Sequence, residues 1–213
     1  KGVLHEALNN LEPVNGEDTI QGKYHVISGR IGARSKNVNK YYDDAVILKK
    51  GFEDEFTTDY GQACRYAFYC AQSYKDAGEK YIDEAIEWYK KVLTLHNWAQ
   101  EKFYSCFMLG DLYIRKNDSI NAIKYWLKSV EYDEERMEGV LNAMNHLRLN
   151  DNTLLVTLLY KQFANYKKSK ELQSKLFIVN PMYNDEIEFH QSICAYYSKE
   201  YKYDRLIIHA VVY

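Results

Sequence analysis

Two stretches of this chain carry the same arrangement of side chains, and that recurrence constrains the fold more than any other feature. In the stretch Arg65–Gly78, Ala71 and Tyr74 lie three residues apart and Gly78 follows; beyond it Ala85 and Tyr89 lie four apart. In the second copy Gly110 and Tyr113 are again three apart, and Ala122 and Trp126 again four. Such spacings put side chains on one face of an α-helix, and a glycine is a usual helix stop. Each stretch therefore reads as two helices joined by a short turn. The small residues mark where two helices cross closely, and the aromatics fill the gaps beside them. A single helix of this length is marginal in water, so the pair must bury the apolar stripe that neither buries alone.

This order of small residue, tyrosine, turn glycine, small residue and aromatic resembles the tetratricopeptide repeat. The resemblance implies a stack of helical hairpins whose first helices line a concave face. Tyr66, Tyr69, Gln72 and Lys75 on the first such helix, with Phe103 and Tyr104 on the next, are the candidates for binding a peptide or protein partner or a glycan acceptor there, the alternative being that they pack between repeats. Two departures predict an irregular stack. Ala71 and Gly110 are 39 residues apart, against a usual period of about 34. The excess falls in the Gly78–Asp83 turn and near Asn97–Gln100, and Asn97 and Glu134 stand where a proline is usual after the second helix.

The remaining pattern is helical. From Asn39 onward Tyr42, Ala45, Val46 and Phe52 share a face, with Asp43 and Asp44 in the first turn and Lys49 and Lys50 in the last; Glu53–Gly61 reads as a polar connector. Ile82, Ala85, Ile86, Tyr89 and Val92 or Leu93 form the stripe of the second helix, and Ser119 or Asp118 caps a later one. After Asp133 the repeat signature fades, but Met137, Val140, Leu141, Met144 and Leu147 make one stripe. Leu155, Leu158, Leu159 and Phe163 make another beyond a turn at Asn150–Asn152. A further helix is predicted from about Ser169 to Val179, ending before Pro181, and Ile187, His190, Ile193, Cys194 and Tyr197 begin one more; Leu206–Tyr213 has a strand-like composition.

The expected fold is all-α over residues 36–213, an irregular helical-hairpin solenoid resembling tetratricopeptide repeats. Two prolines in 213 residues and a hydrophobic content of 46% suit continuous helices around a sizeable core. With 28 basic and 30 acidic residues there is no global field to attract nucleic acid. No apolar run approaches the roughly 20 residues that span a bilayer, so a cytoplasmic protein without a membrane span is expected. Cys64, Cys70, Cys106 and Cys194 lack metal-site spacing and read as reduced, buried thiols. His25, His96, His146, His190 and His209 have no partners at ligand spacing.

Residues 1–35 differ from the rest. Five glycines and Pro13 crowd there without helical periodicity, and Tyr24 and Val26 alternate as a short strand would. Three pieces in order, Gly2-Val3-Leu4-His5-Glu6, Gly32-Ala33-Arg34-Ser35 leading into Lys40–Ala45, and Arg65–Gly78, together resemble the end of a family 2 glycosyltransferase catalytic domain followed by tetratricopeptide repeats. The resemblance implies that residues 1–35 are the loop and strand remnant of an α/β domain of the GT-A type, with 36–213 the helical repeat domain. In the intact enzyme it implies a nucleotide sugar donor, a glycan or protein acceptor, and a divalent metal, Mn or Mg, with His5 as a metal ligand and Glu6 and Arg34 at the substrate. The nucleotide-binding strand, the Asp-x-Asp and the catalytic base of that family have no counterpart here. No catalytic residue is therefore expected within this segment, nor any cofactor for the segment by itself. The alternative expectation is a non-enzymatic repeat scaffold for protein partners.

Overall fold

The computed structural model describes residues 36–163 and 175–179, together with Gly22. Among these residues the fold is all-α, with helices α1 Lys40–Glu55, α2 Tyr60–Asp76, α3 Ile82–Thr94, α4 Ala99–Arg115, α5 Ser119–Lys128, α6 Glu138–Leu149 and α7 Thr153–Phe163. The chain divides into two compact units, Lys1–Trp88 and Tyr89–Tyr213.

In the first unit α1 and α2 run antiparallel: the Cys70 thiol donates to the Ala45 carbonyl at 3.4 Å, and Tyr42 meets Tyr74 edge-on further along. Their shared interior holds Ala45, Leu48 and Phe52 from α1 and Ala63, Tyr66, Ala67, Cys70 and Ala71 from α2. Val46 lies outside this face and is exposed. Helix α1 also outruns the expected end near Lys50, reaching Glu55, so no basic residue occupies its last turn. The connector shortens to four residues, Phe56–Asp59, because the Asp59 carboxylate accepts the Gln62 backbone N–H at 2.9 Å and starts α2 early. Asp59→Ala should cost about 1 kcal/mol in urea unfolding, the usual loss of an N-cap.

Helix α2 stops where the sequence places the stop. Gly78 has φ 105, a backbone state that a side chain would strain, and the short 3-10 turn Glu79–Tyr81 then leads into α3. That turn holds part of the extra length of the first repeat.

The described part of the second unit contains two successive hairpins closed by the same device. After α4, Asn117 takes a left-handed φ of 58, its N–H donates to the Ile114 carbonyl, and the Asp118 N–H donates to Tyr113. After α6, Asp151 has the same φ, its N–H donates to Arg148, and the Asn152 N–H donates to Leu147. Both are Schellman closures, in which Asn or Asp tolerates the left-handed state. They lie 34 residues apart, 117 to 151, so the repeat continues through α6 and α7. The sequence signature fades there because Met144 stands at the place of Gly110 and Leu147 at that of Tyr113.

Asp118 rather than Ser119 caps α5, accepting the Asn121 N–H at 3.0 Å; the Asn121 side-chain amide and that N–H hold its carboxyl below the usual range. Gly110 sits directly under the Trp126 ring, and the Trp126 indole donates to Asp111 at 3.0 Å. Asp111 also accepts from Asn142 of α6 at 3.1 Å, tying three helices together. The stripe of α6 forms the core expected of it, with Met137, Val140, Leu141, Met144 and Leu147 buried around Val156. On α7 the expected stripe is rotated. Leu155 and Leu158 are exposed, while Val156, Leu159, Tyr160 and Phe163 face the core, because Val156 occupies the buried place of Ala122 one period earlier.

The segment Lys175–Val179 is a bend and turn rather than the end of a helix. Phe177 holds a φ of 50, a state costing a non-glycine residue about 1–2 kcal/mol. Cys64, Cys70 and Cys106 are buried and form no disulfide with one another, and burial pushes the Cys106 thiol up to about 12, which leaves it protonated and unreactive at neutral pH. No helix among the described residues is long and apolar enough to cross a membrane. Residues 1–35 other than Gly22, with the strand suggested at Tyr24 and Val26, Cys194 and the Leu206–Tyr213 run, lie outside the described residues.

Candidate functional site

The binding candidates divide between the units. On α2, Tyr66 is 1% exposed and belongs to the interior, which corrects its assignment to a binding face. Tyr69 is half-buried beneath the Arg65 guanidinium, at 5.4 Å from its ring centre. Lys75 is half-buried and pairs with Asp76 at 3.2 Å, and the shielded amide nitrogen of Gln72 has no hydrogen-bond partner.

On α4, Phe103 is fully buried and likewise serves the interior, while Tyr104 remains half-exposed. The reason is Arg136, whose guanidinium lies 3.9 Å above the Phe103 ring. Arg136 and Glu138 are both 0% exposed and join through Nη2 to Oε1 at 2.7 Å. Arg136 Nη1 donates to the Gln100 side-chain carbonyl at 3.0 Å and to the Leu176 backbone carbonyl at 2.8 Å. Gln100 turns its amide N–H₂ to the Asp133 carboxylate at 2.6 Å, so one side chain bridges a buried cation and an acid.

That acid faces the segment 175–179. Lys175 Nζ donates to both Asp133 oxygens, at 2.8 and 2.9 Å, and to Glu135 at 2.6 Å. Two residues on, the Phe177 ring lies 4.9 Å from that of Tyr104, and Ile178 packs on the core around α6. A cavity of about 400 Å³ opens beside Asp133, lined also by Glu131, Tyr132 and Glu134. The surface thus presents carboxylates for an ammonium, a buried guanidinium for a backbone carbonyl and an aromatic ring for an aromatic side chain.

The charges fix a pH dependence. Burial alone would raise the Asp133 carboxyl, but hydrogen bonds from Lys175 and Gln100 outweigh it and hold it below its ordinary value. Burial opposes the Lys175 charge, yet its bonds to Asp133 and Glu135 outweigh that and raise it. A depressed acid contributes stability above its unfolded value, near 4, that is lost as pH falls through the folded one; a raised lysine contributes below about 10.4 and loses it in stronger alkali. The segment should stay docked through neutral pH and loosen only in acid, once the pH has fallen below the ordinary carboxylate value near 4. NMR shifts of the Lys175 and Phe177 amides followed during acidification check this, and a transition centred near pH 6 would contradict it.

Sequence reasoning missed Gln100, Asp133, Arg136, Glu138 and Lys175. Arg136 and Glu138 are two residues apart at a helix start, a spacing that no helical or strand rule pairs, and Lys175 lies some 40 residues further along. His5, Glu6 and Arg34 lie outside the described residues. Among the described residues no group of three His, Cys, Asp or Glu is placed to hold a metal ion.

The tetratricopeptide repeat family model matches residues 103–136, the greater part of α4, all of α5 and the turn that carries Asp133 and Arg136. The chain therefore contains a tetratricopeptide-like repeat there. No curated protein matches the chain.

Proposed function

We propose that the helical part of this chain is a protein-interaction module that binds a partner's polypeptide segment on the α4 surface of the second unit. The observation that carries this reading is that Tyr104, Asp133 and Arg136 already hold a non-helical stretch of polypeptide through side-chain, backbone and aromatic contacts. Selection of a displayed peptide library against the full chain should recover ligands of micromolar affinity, and Tyr104→Ala should weaken them about ten-fold, the loss of one aromatic anchor. Recovery of no binder would overturn the reading.

The glycosyltransferase expectation rests on the sequence pieces at Gly2–Glu6 and Gly32–Ala45. An Asp-x-Asp upstream of Lys1 in a longer chain would support it, and His5→Ala should then abolish metal-dependent transfer. Unchanged transfer would remove His5 from such a site.

A further inference from the structure

We propose that Lys175–Ile178 is a tethered occupant of the peptide site, and that a partner enters by displacing it with a segment of the same chemistry, a lysine followed two residues later by an aromatic side chain. The inference rests on the protein-interaction reading and names the ligand class and the regulation of that site.

Three observations favour an exchangeable occupant over a fixed structural link. The first is specificity: each element of the segment meets a different recognition group, the Lys175 ammonium on Asp133 and Glu135, the Leu176 carbonyl on Arg136 and the Phe177 ring on Tyr104. Only one of these contacts, the carbonyl, is independent of side-chain identity, so the other two set a sequence requirement that an outside segment can meet. The second is strain: Phe177 is left-handed, and a partner that presents its aromatic ring without that backbone state gains an advantage over the tether. The third is charge: Glu134 and Glu135 line the cavity beside Asp133, while Glu131 there is paired with Lys128, and three carboxylates against the one Lys175 ammonium favour a basic partner over a neutral or acidic one.

A tether of this kind lowers the apparent affinity for a partner by the fraction of molecules in which the site is open. The test uses full-length protein and a fluorescein-labelled peptide of residues 173–180, Gln-Ser-Lys-Leu-Phe-Ile-Val-Asn. The variant Lys175→Glu/Phe177→Ala, which disables the tether, should bind the peptide saturably, and the native chain at least about ten-fold more weakly. Adding Asp133→Asn to the disabled variant should remove binding, as should Lys→Ala in the peptide. Where far-UV circular dichroism shows the double variant unfolded, Phe177→Ala alone replaces it, with the same expected ordering.

Equal binding by native and disabled protein overturns the inference, and so does no binding by a folded disabled variant. A concentration-dependent dimer of the native chain that Lys175→Glu abolishes also overturns it, because the occupant is then a second copy. If the peptide library yields α4 binders that lack the lysine and aromatic pair and do not compete with the 173–180 peptide, this inference fails while the interaction reading stands. If the library yields nothing, the interaction reading itself fails.

Discussion

Arg136→Ala is expected to destabilise the second unit by about 3–5 kcal/mol, the cost of breaking a fully buried ion pair from one side. The substitution takes the Arg136 guanidinium away from the Glu138 carboxylate, which is 0% exposed. It also removes the donor to the Gln100 and Leu176 carbonyls and the charge over the Phe103 ring. Replacing both partners, as Arg136→Met/Glu138→Leu, should recover most of the loss, since an apolar pair of similar volume needs no compensation. Urea unfolding measures both: a lower midpoint at unchanged slope for the single variant, and a midpoint near that of the native chain for the double. The double variant separates stability from recognition, because it still lacks the donor to the Leu176 carbonyl. The Lys175 and Phe177 amides should therefore report a loosened segment in a protein of nearly native stability. A single-variant cost below about 1 kcal/mol would mean that the pair is not desolvated.

What the sequence made legible follows the reach of its rules. Local periodicity placed Ala85, Ala122, Trp126 and the Met137–Leu147 stripe in the interior, because a helix face is set by residues three and four apart. It identified the turn at Gly78 and offered Asp118 as a cap for similar reasons. It failed where packing chose between adjacent faces, as for Val46 and for Leu155 and Leu158, since neighbouring residues differ by only about 100° around the axis. The third hairpin was hidden because its backbone closure is preserved while its small and aromatic residues are exchanged: Asp151 repeats the geometry of Asn117, but Met144 does not repeat Gly110. Of the site, Tyr104 was legible as a partly exposed aromatic on a first helix. Tyr66 and Phe103 were misplaced because aromatics on such a helix serve core and surface alike. The Asp133–Lys175 pair joins positions 42 residues apart that only the tertiary fold brings together, and Arg136–Glu138 is a pair two residues apart, a spacing that no periodic rule connects.

Gly139→Ala should be nearly as damaging as the loss of Arg136, at about 3 kcal/mol, and should resist a rescue that works for Gly110→Ala. A Cβ at Gly139 would fall inside contact distance of the Trp126 backbone carbonyl and the Ser129 hydroxyl, which are themselves bonded to each other at 2.6 Å. Main chain at the end of α5 cannot withdraw without unwinding that turn. A Cβ at Gly110 would have the Trp126 ring as its nearest neighbour, with all three closest atoms on that side chain rather than on backbone. There the overpacking cost, about 1–3 kcal/mol, is partly offset by the roughly 1 kcal/mol that alanine gains over glycine in a helix. Trp126→Leu removes the ring but leaves its carbonyl in place. In a double-mutant cycle, Gly110→Ala should therefore become neutral or stabilising in the Trp126→Leu background, while Gly139→Ala keeps its full cost there. Gly61→Ala is the control, since its Cβ would meet nothing closer than Asp59 Oδ1 at 3.6 Å, and it should be tolerated. If Gly110→Ala is equally costly with and without the indole, the close approach of α4 and α5 is not set by Trp126. The small residue at that place in the repeat then needs another cause.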